Sequence, residues 1–379
     1  MSHMTLICRK CDLNHIADMV NLSCKNCNQP LQVEYVLNEL NTRKPCSYKW
    51  NDIKIPLPLN GVSSLLSLGE GHTPTIELKC LRDRIGVGSL YAKLEYLNPT
   101  GSFKDRGTAV MISVANEHDV KELVEDSSGN AGASVSAYGA RAGIKTHVFV
   151  PSTAPIAKIQ QIEIYGACVH KIAGTREATT EEAIKFHNKF SLVYASHSLS
   201  PYFIEGTKTF AYEVYTDFYP KLPDHIVIPV GNGGLIIGAW KGFKELRRAG
   251  LIKTMPRLHC IQSANVMPIV NKYSGAHSSE EHNDRITVAG GISVTKPQRI
   301  DDVLTALIQS KGTAIGVTDK EITESQKLLA NKEGVFAEPT SAAALAGLGH
   351  LKKAGLISKT DTVLVPITGF GLKDKFPDL

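Results

Sequence analysis

Short apolar runs alternate with longer amphipathic stretches along most of the chain after residue 65. Runs of this length, rich in β-branched and aromatic side chains and bounded by Gly, Pro or Asn, are typical of buried strands. The clearest runs are residues 90–96, 147–150, 225–230, 258–262 and 362–366. Strands that alternate with helices favour a parallel sheet covered by helices. The pattern therefore predicts an α/β fold with parallel sheets flanked by helices.

The composition is that of an ordinary globular protein. A chain of 379 residues, 42% hydrophobic and 21% charged, predicts two main domains with well-formed cores. The net charge of +5 is spread along the sequence, without the basic stripe of a nucleic-acid-binding protein. No apolar stretch is long enough to span a bilayer, and the N-terminus lacks the apolar segment of a secretory signal. We therefore expect a cytoplasmic protein that binds neither nucleic acid nor membrane.

Four of the eight cysteines form two Cys-x-x-Cys pairs near the N-terminus, namely Cys8 with Cys11 and Cys24 with Cys27. Two such turns present four thiolates to one ion, which is the ligand set of a tetrahedral Zn²⁺ site. Four protein ligands leave no open position for water, so a structural Zn is predicted rather than a catalytic one. The alternative, a ribbon that contacts nucleic acid, is disfavoured by the weak basicity.

Candidate chemistry begins in the turn after the first predicted strand, at residues 98–107. Ser102 and Asp105 have the S-x-x-D spacing of a helix N-terminus. Lys104 would then lie in the first helical turn, where the helix dipole disfavours an ammonium and favours a nucleophilic amine. A solvated surface lysine is the alternative that this turn alone leaves open.

Three further turns of small residues follow predicted strands. Residues 126–134 could bind a carboxylate through backbone N–H groups, and residues 229–238 could bind a phosphate in the same way. The latter turn has neither the Gly-Lys-Ser/Thr of a Walker loop nor the dinucleotide fingerprint. Thr368 could direct a hydroxyl towards a ligand from the last turn. Each turn could be purely structural, but together they supply what amino-acid chemistry on pyridoxal 5'-phosphate (PLP) requires.

The same segments resemble the fold-type II PLP-dependent enzymes, of the tryptophan synthase β kind, and most closely the threonine synthases. The similarity covers almost the whole chain and comprises ordered motifs at the cysteine ribbon, 68–74, 98–107, 205–209, 333–343 and 368–374. It implies a zinc-ribbon segment at 5–40, a large PLP-binding α/β domain from 60–105 and 205–379, and a small mobile α/β domain at 106–200. It also implies a homodimer.

The resemblance assigns the cofactor contacts. Lys104 would hold PLP as a Schiff base and transfer the substrate α-proton. Asn130 would hydrogen-bond the 3'-oxygen of the cofactor, and Thr368 its pyridine nitrogen. The cofactor phosphate would be bound by the loop residues Gly231, Asn232, Gly233, Gly234 and Leu235.

The resemblance also assigns the substrate side, where this sequence departs from the threonine synthases. The substrate residues would be Ser127, Ser128, Ala131, His197, Ser198 and Phe203. Phe203 stands where threonine synthases have an arginine that helps to hold the phosphate of O-phosphohomoserine, and His197 stands where they have an asparagine. Without that guanidinium a bidentate phosphate contact is missing.

Three functions follow from these observations. The first is the threonine synthase reaction, in which O-phosphohomoserine and water give threonine and phosphate. The second is β-elimination or β-replacement on serine, threonine, O-phosphoserine or a related amino acid, as in a dehydratase or a cysteate synthase. The third is a non-catalytic zinc-ribbon binding protein, which the intact lysine and glycine-rich loop disfavour.

Overall fold

The computed structural model describes residues 4–19, 22–35, 55–60, 64–276 and 286–374. The end of the predicted ribbon segment, residues 36–40, lies outside these ranges. The strands of the described residues are β1 (Met4–Ile7), β2 (Asn14–His15), β3 (Gln32–Tyr35), β4 (Thr75–Glu77), β5 (Ser89–Lys93), β6 (Glu122–Glu125), β7 (Lys145–Pro151), β8 (Cys168–Ile172), β9 (Val193–Tyr194), β10 (His225–Pro229), β11 (Arg257–Ser263), β12 (Ala314–Val317) and β13 (Thr362–Pro366).

Helices follow most of the strands. In the described ranges they are α1 (Lys79–Ile85), α2 (Lys104–Glu117), α3 (Asn130–Ala142), α4 (Ile156–Ile164), α5 (Arg176–Phe190), α6 (Pro201–Thr207), α7 (Thr209–Phe218), α8 (Gly234–Arg248), α9 (Pro268–Ser274), α10 (Ile300–Ser310), α11 (Asp319–Glu333) and α12 (Pro339–Lys353).

The first compact unit comprises the described parts of Met1–Asn41, Lys54–Glu70 and Asn98–Thr209. Its main sheet is parallel, with strand order β8-β7-β6-β9. The central strand β7 is buried from Thr146 to Val150, as expected of a strand covered on both faces. A separate antiparallel sheet of order β2-β1-β3 forms the N-terminal ribbon.

The second compact unit comprises the described parts of Gly71–Leu97 and Phe210–Leu379. Its sheet has the order β12-β11-β10-β13-β5-β4, and every strand is parallel to its neighbours except β4, which is antiparallel to β5. All five residues of β10 are buried. Parallel strands place their carboxyl ends at one edge, so the turns that follow β10 and β13 lie at the same edge.

The predicted α/β fold with parallel sheets is confirmed, and each of the five clearest predicted runs contains a strand. The first run is shorter than predicted, because the chain turns into a 3-10 helix over Glu95–Leu97 and β5 ends at Lys93. The backbone of Tyr96 donates to the carbonyl of Ile367 instead of continuing the ladder. The predicted domain limits stay a prediction; by compactness, residues 98–105 group with the first unit.

Candidate functional site

Lys104 is the first residue of α2 and is half-buried. Its Nζ lies 5.0 Å from the ring centroid of Phe103 and 5.5 Å from that of Phe203. The N–H groups of the first helical turn carry partial positive charge, which opposes the positive charge of an ammonium at this position. A lysine amine among apolar rings at a helix start can act as a nucleophile.

The turn before Lys104 is held by Asp105 and not by a helix cap. The predicted capping by Ser102 is wrong, because no side chain caps α2. Instead, the buried carboxylate of Asp105 accepts hydrogen bonds from Thr100 N at 2.7 Å and Thr100 Oγ1 at 2.6 Å. It also accepts from Ser134 Oγ of α3 at 2.6 Å. Hydrogen bonds to a buried charge contribute about 1.5–3 kcal/mol each, so they fix the position of Lys104 relative to α3.

The turn between β6 and α3 carries the predicted carboxylate-binding residues. β6 ends at Glu125 and α3 begins at Asn130, so the turn consists of residues 126–129. Ser127 Oγ accepts a hydrogen bond from the backbone of Gly129 at 3.3 Å. The backbone N–H groups at the start of α3 can bind an anion. The predicted residues in this turn or in the first two positions of α3 are Ser127, Ser128, Asn130 and Ala131.

The segment after β9 lies next to this turn. β6 and β9 are parallel neighbours, so the residues that follow them leave the sheet at the same edge. His197 Nδ1 is 3.0 Å from Glu125 Oε1, and Ser198 Oγ is 3.0 Å from Ser196 Oγ. The sheet thus brings the predicted substrate residues His197 and Ser198 to the edge that carries the serine turn.

Two acidic residues at this edge differ in charge. Burial, and then the negative charge of Asp126, raise the pKa of Glu125 well above its usual range. Burial, and then the cation of Lys104, lower the pKa of His197 well below its usual range. Burial alone would raise the pKa of Asp126, but the guanidinium of Arg176, 3.2 Å away, lowers it. Burial therefore favours the uncharged forms of Glu125 and His197, whereas Arg176 favours the ionised form of Asp126.

Phe203 lies in α6 and is fully buried. Its ring centroid is 6.0 Å from that of His197, and its ring packs on the Cα of Gly107 in α2. Lys104 therefore lies near an apolar surface at the position where the sequence predicted a missing arginine.

The predicted phosphate-binding loop lies in the second unit, between β10 and α8. Gly233 precedes α8 with a left-handed φ of +89°, and a Cβ there would lie 2.3 Å from Val303 Cγ2. A Cβ on Gly231 would lie 2.8 Å from the carbonyl oxygen of Gly291. Both positions therefore require glycine. The loop spans Gly231 to Leu235 and leads into the N-terminus of α8, and backbone N–H groups at a helix N-terminus can bind an anion.

Thr368 follows β13 by two residues and is buried. Its Oγ1 is 3.0 Å from Ser341 Oγ, and Ser341 Oγ also accepts from Gly369 N at 3.0 Å. Since β10 and β13 are parallel neighbours, Thr368 leaves the sheet at the same edge as the glycine loop. A hydroxyl held in this way can hydrogen-bond a ring nitrogen without supplying a charge.

The four N-terminal cysteines converge in the ribbon. Their sulfur atoms all lie within 4.8 Å of one another, and the Sγ atoms of Cys8 and Cys27 are 3.4 Å apart, as are those of Cys11 and Cys24. Burial alone would raise the pKa of Cys24, but the backbone N–H groups of Cys27 and Asn26 lower it to about 6. Four converging sulfurs, one of them readily ionised, could hold a tetrahedral metal ion.

Comparison with known proteins decides the family. The model of the family "pyridoxal-phosphate dependent enzyme" matches residues 66–369. The chain belongs to this family. The matched range includes Lys104, the serine turn, the glycine loop and Thr368. Within the first unit the amine of Lys104, and within the second unit the glycine loop and the buried hydroxyl of Thr368, are each of the chemical kind that binds PLP.

Relatives within the PLP-dependent enzymes include curated threonine synthases. The threonine synthase of Methanocaldococcus jannaschii is 36% identical over 97% of this chain and 92% of its own length. That of Bacillus sp. strain ULM1 is 39% identical over 85% of this chain and 88% of its own. The solved structure of maize serine racemase has a TM-score of 0.70 at 22% identity, covering 79% of this chain and 88% of that one. The last likeness shows the fold alone.

Three residues of this PLP-dependent enzyme received no individual role from the sequence, although Asp126 and Ser341 lie in segments that the sequence singled out. Glu125 and Asp126 lie next to the predicted Ser127, and Ser341 is the partner of Thr368. Two consecutive acidic residues at the end of an apolar run were a signal for the first two. Ser341 belongs to a motif in the sequence, but no local pattern indicated its contact with Thr368.

No described helix has the length and apolarity to cross a membrane.

Proposed function

We propose that this PLP-dependent enzyme carries out elimination or replacement on an amino acid in the manner of the threonine synthases. The observation that carries the proposal is the match to curated threonine synthases over nearly the whole chain. The first candidate reaction converts O-phosphohomoserine and water into threonine and phosphate.

The residues would divide the work as follows. Bound PLP withdraws electrons from the α-carbon of an amino acid, which makes elimination and replacement accessible. Lys104 would attach the cofactor and transfer the α-proton, held in position by Asp105. The glycine loop would bind the cofactor phosphate through backbone N–H groups, and Asn130 and Thr368 would orient the ring. Ser127, Ser128 and Ala131 would bind the substrate carboxylate.

A second candidate is favoured by Phe203. A fully buried phenyl ring, packed on Gly107, stands where the threonine synthases have an arginine. A phosphate group buried beside it would lack a bidentate cation, which is costly in a closed site. This favours β-elimination or β-replacement on serine, threonine or a related amino acid.

Lys104 is tested by borohydride reduction of the holoenzyme followed by peptide mass spectrometry. We expect the cofactor adduct on the peptide that contains Lys104. Lys104→Ala should lose the adduct and at least about a thousandfold in turnover, because the nucleophile is removed. Lys121→Ala, which changes an exposed lysine, is the matched control and should retain both. An adduct on another lysine would contradict the assignment.

The two reactions are separated by their products. Threonine and phosphate formed from O-phosphohomoserine would establish the first, and pyruvate or 2-oxobutyrate formed from serine or threonine would establish the second. Phe203→Arg should raise the use of O-phosphohomoserine, and Phe203→Leu, which stays apolar, should not. No gain from Phe203→Arg would contradict the role given to this position.

Further parts of the proposal concern the ribbon and the assembly. We propose that Cys8, Cys11, Cys24 and Cys27 bind one structural Zn²⁺, because four converging thiols match its tetrahedral preference. We also propose a cytoplasmic homodimer. Metal analysis and light scattering of the purified protein test these two points.

A further inference from the structure

Glu125 has a buried carboxyl group in which one of the two oxygens has hydrogen-bond partners and the other has none among the described residues. It is fully buried at the carboxyl end of β6. Oε1 lies 3.0 Å from His197 Nδ1 and 3.2 Å from the backbone N of Asp126. Oε2 is buried and has no hydrogen-bond partner among the described residues. A buried polar atom without a partner destabilises the folded chain, so a ligand or a water that hydrogen-bonds it is favoured.

Glu125 is surrounded by residues that the sequence predicted to bind the substrate. Asp126, which follows it directly, leads into the serine turn that could bind a carboxylate. His197 on the other side contacts the Phe203 ring, and that ring faces Lys104. The charge of Lys104 also acts on both Glu125 and His197. The oxygen without a partner therefore belongs to the same region as the predicted nucleophile.

The charges in this region select the kind of group that Glu125 can bind. The ionised Asp126 disfavours a second anion, and its cation Arg176 is already paired with it. Phe203 supplies no positive charge. With both residues uncharged, Glu125 Oε2 can donate or accept a hydrogen bond. It donates when His197 Nδ1 carries the proton shared with Oε1, and it accepts when Oε1 carries that proton. An uncharged hydroxyl satisfies such a pair, whereas a phosphate would need a cation.

We infer that Glu125 is a specificity-determining residue that recognises a hydroxyl group on the β-carbon of the amino acid, with His197 as its positioning partner. This inference rests on the proposed amino-acid chemistry and names the ligand group of that site. A β-hydroxyl is common to both candidate reactions, since threonine carries it as the product of the first and serine or threonine as the substrate of the second.

The test measures binding rather than turnover. The holoenzyme is mixed with L-threonine, L-2-aminobutyrate or L-valine, and the immediate change in cofactor absorbance gives each dissociation constant. L-2-aminobutyrate lacks the hydroxyl, and L-valine replaces it with a methyl group. In the wild type we expect threonine to bind about tenfold more tightly than either, as one good hydrogen bond to a buried partner provides.

Three variants assign that preference to Glu125. Glu125→Met should abolish the preference for threonine while leaving 2-aminobutyrate binding within about twofold. Glu125→Gln keeps a donor and an acceptor and should retain most of the preference. Glu122→Gln, on the same strand but paired with Lys145 and His147, is the matched control and should behave as the wild type. Because Glu125→Gln is nearly isosteric, it keeps the test valid if Glu125→Met folds poorly.

The possible outcomes are distinct. Equal preference for threonine in the wild type and in Glu125→Met would overturn the inference, and Oε2 would then be satisfied by a water alone. A wild type that binds the cofactor on Lys104 but responds to no amino acid would overturn the proposed function as well. Infrared spectroscopy gives a readout that needs no cofactor: the apoprotein should show a protonated carboxylic acid band that Glu125→Gln lacks. Absence of that band would contradict the neutral pair.

Discussion

At the scale of single residues, the contact between Gly107 and Phe203 joins the nucleophile helix to the substrate side. Gly107 is one turn after Lys104 in α2, and the Phe203 ring of α6 lies directly on its Cα. A Cβ added at Gly107 would lie 2.5 Å from Phe203 Cε2, closer than any normal contact. The glycine and the phenylalanine therefore have to be considered together.

Gly107→Ala should lower the free energy of unfolding by about 1–3 kcal/mol, because the added methyl group overpacks a buried contact. Phe203→Leu in the same chain should restore part of the loss. Gly349→Ala is the control: Gly349 lies in α12 with nothing within 4 Å of its would-be Cβ, so alanine should stabilise by about 0.5–1 kcal/mol. Urea unfolding measures all three. An undiminished stability of Gly107→Ala would show that the Phe203 ring packs elsewhere.

At the scale of elements, the second unit has a histidine chain at the amino ends of neighbouring strands. Asp361, just before β13, is 3.1 Å from His225 Nε2 at the start of β10. His225 Nδ1 is 2.9 Å from His259 Nε2 in β11. If the carboxylate accepts from His225, then His225 accepts in turn from His259, and both rings are neutral. The charged groups that face the two rings are Asp361, Asp224 and Arg257.

The buried histidines predict that the free energy of unfolding falls in mild acid. Burial, and then the neighbouring His225, lower the pKa of His259 from 6.5 to about 3. The unfolded chain therefore takes up a proton that the folded chain excludes between those two values, and the unfolding free energy decreases as pH falls through this window. Above pH 6.5 the group contributes no pH dependence.

The measurement compares urea unfolding near neutrality and near pH 5. Replacing His259 with Gln removes the titration and should flatten the pH dependence by at most about 1.4 kcal/mol per pH unit. His118→Gln, which changes an exposed histidine after α2, is the control and should leave the slope as in the wild type. A slope unchanged by His259→Gln would contradict a neutral buried ring.

At the scale of the whole molecule, the ribbon is part of the core of the first unit. Its residues Leu6 and Leu31 share one hydrophobic cluster with Met111 of α2 and Tyr202 of α6. Tyr35 of β3 also donates to Glu205 Oε2 of α6 at 2.7 Å. The metal site is therefore joined by packing to the helices that carry Lys104 and Phe203.

Metal removal should consequently loosen more than the ribbon. We expect one zinc per chain in the wild type and a loss of that metal in Cys11→Ser, because three thiolates bind more weakly than four. Hydrogen exchange should then increase in β1–β3 and also in α6. Cys80→Ser, which changes an exposed cysteine of α1, should keep the metal and the exchange pattern. Faster exchange limited to the ribbon would show that the cluster does not transmit the loss.

Much of the fold and of the cofactor side could be predicted from local sequence. Short apolar runs identify β7, β10, β11 and β13, and glycine-containing turns identify the loops after β10 and β13, because those signals arise from neighbours in the chain. The two-residue strand β9 was not predicted, because its pairing with β6 is fixed by a partner about seventy residues away. The cap predicted for α2 failed for a similar reason: Asp105 binds Ser134, which no local pattern reveals.

The sequence by itself determined the α/β class and the cysteine set, since these depend on residue types at short spacings, while its ordered motifs, taken over the whole chain, carried the resemblance to the family and the predicted role of Lys104. Tertiary structure decided which groups share the space around Lys104. Parallel pairing of β6 with β9 brought His197 to Glu125, and burial favours the uncharged forms of both beside Asp126, whose pKa Arg176 lowers. Charge state depends on solvent exclusion and on neighbours distant in sequence, so only the folded chain could reveal Glu125 as a candidate for substrate recognition.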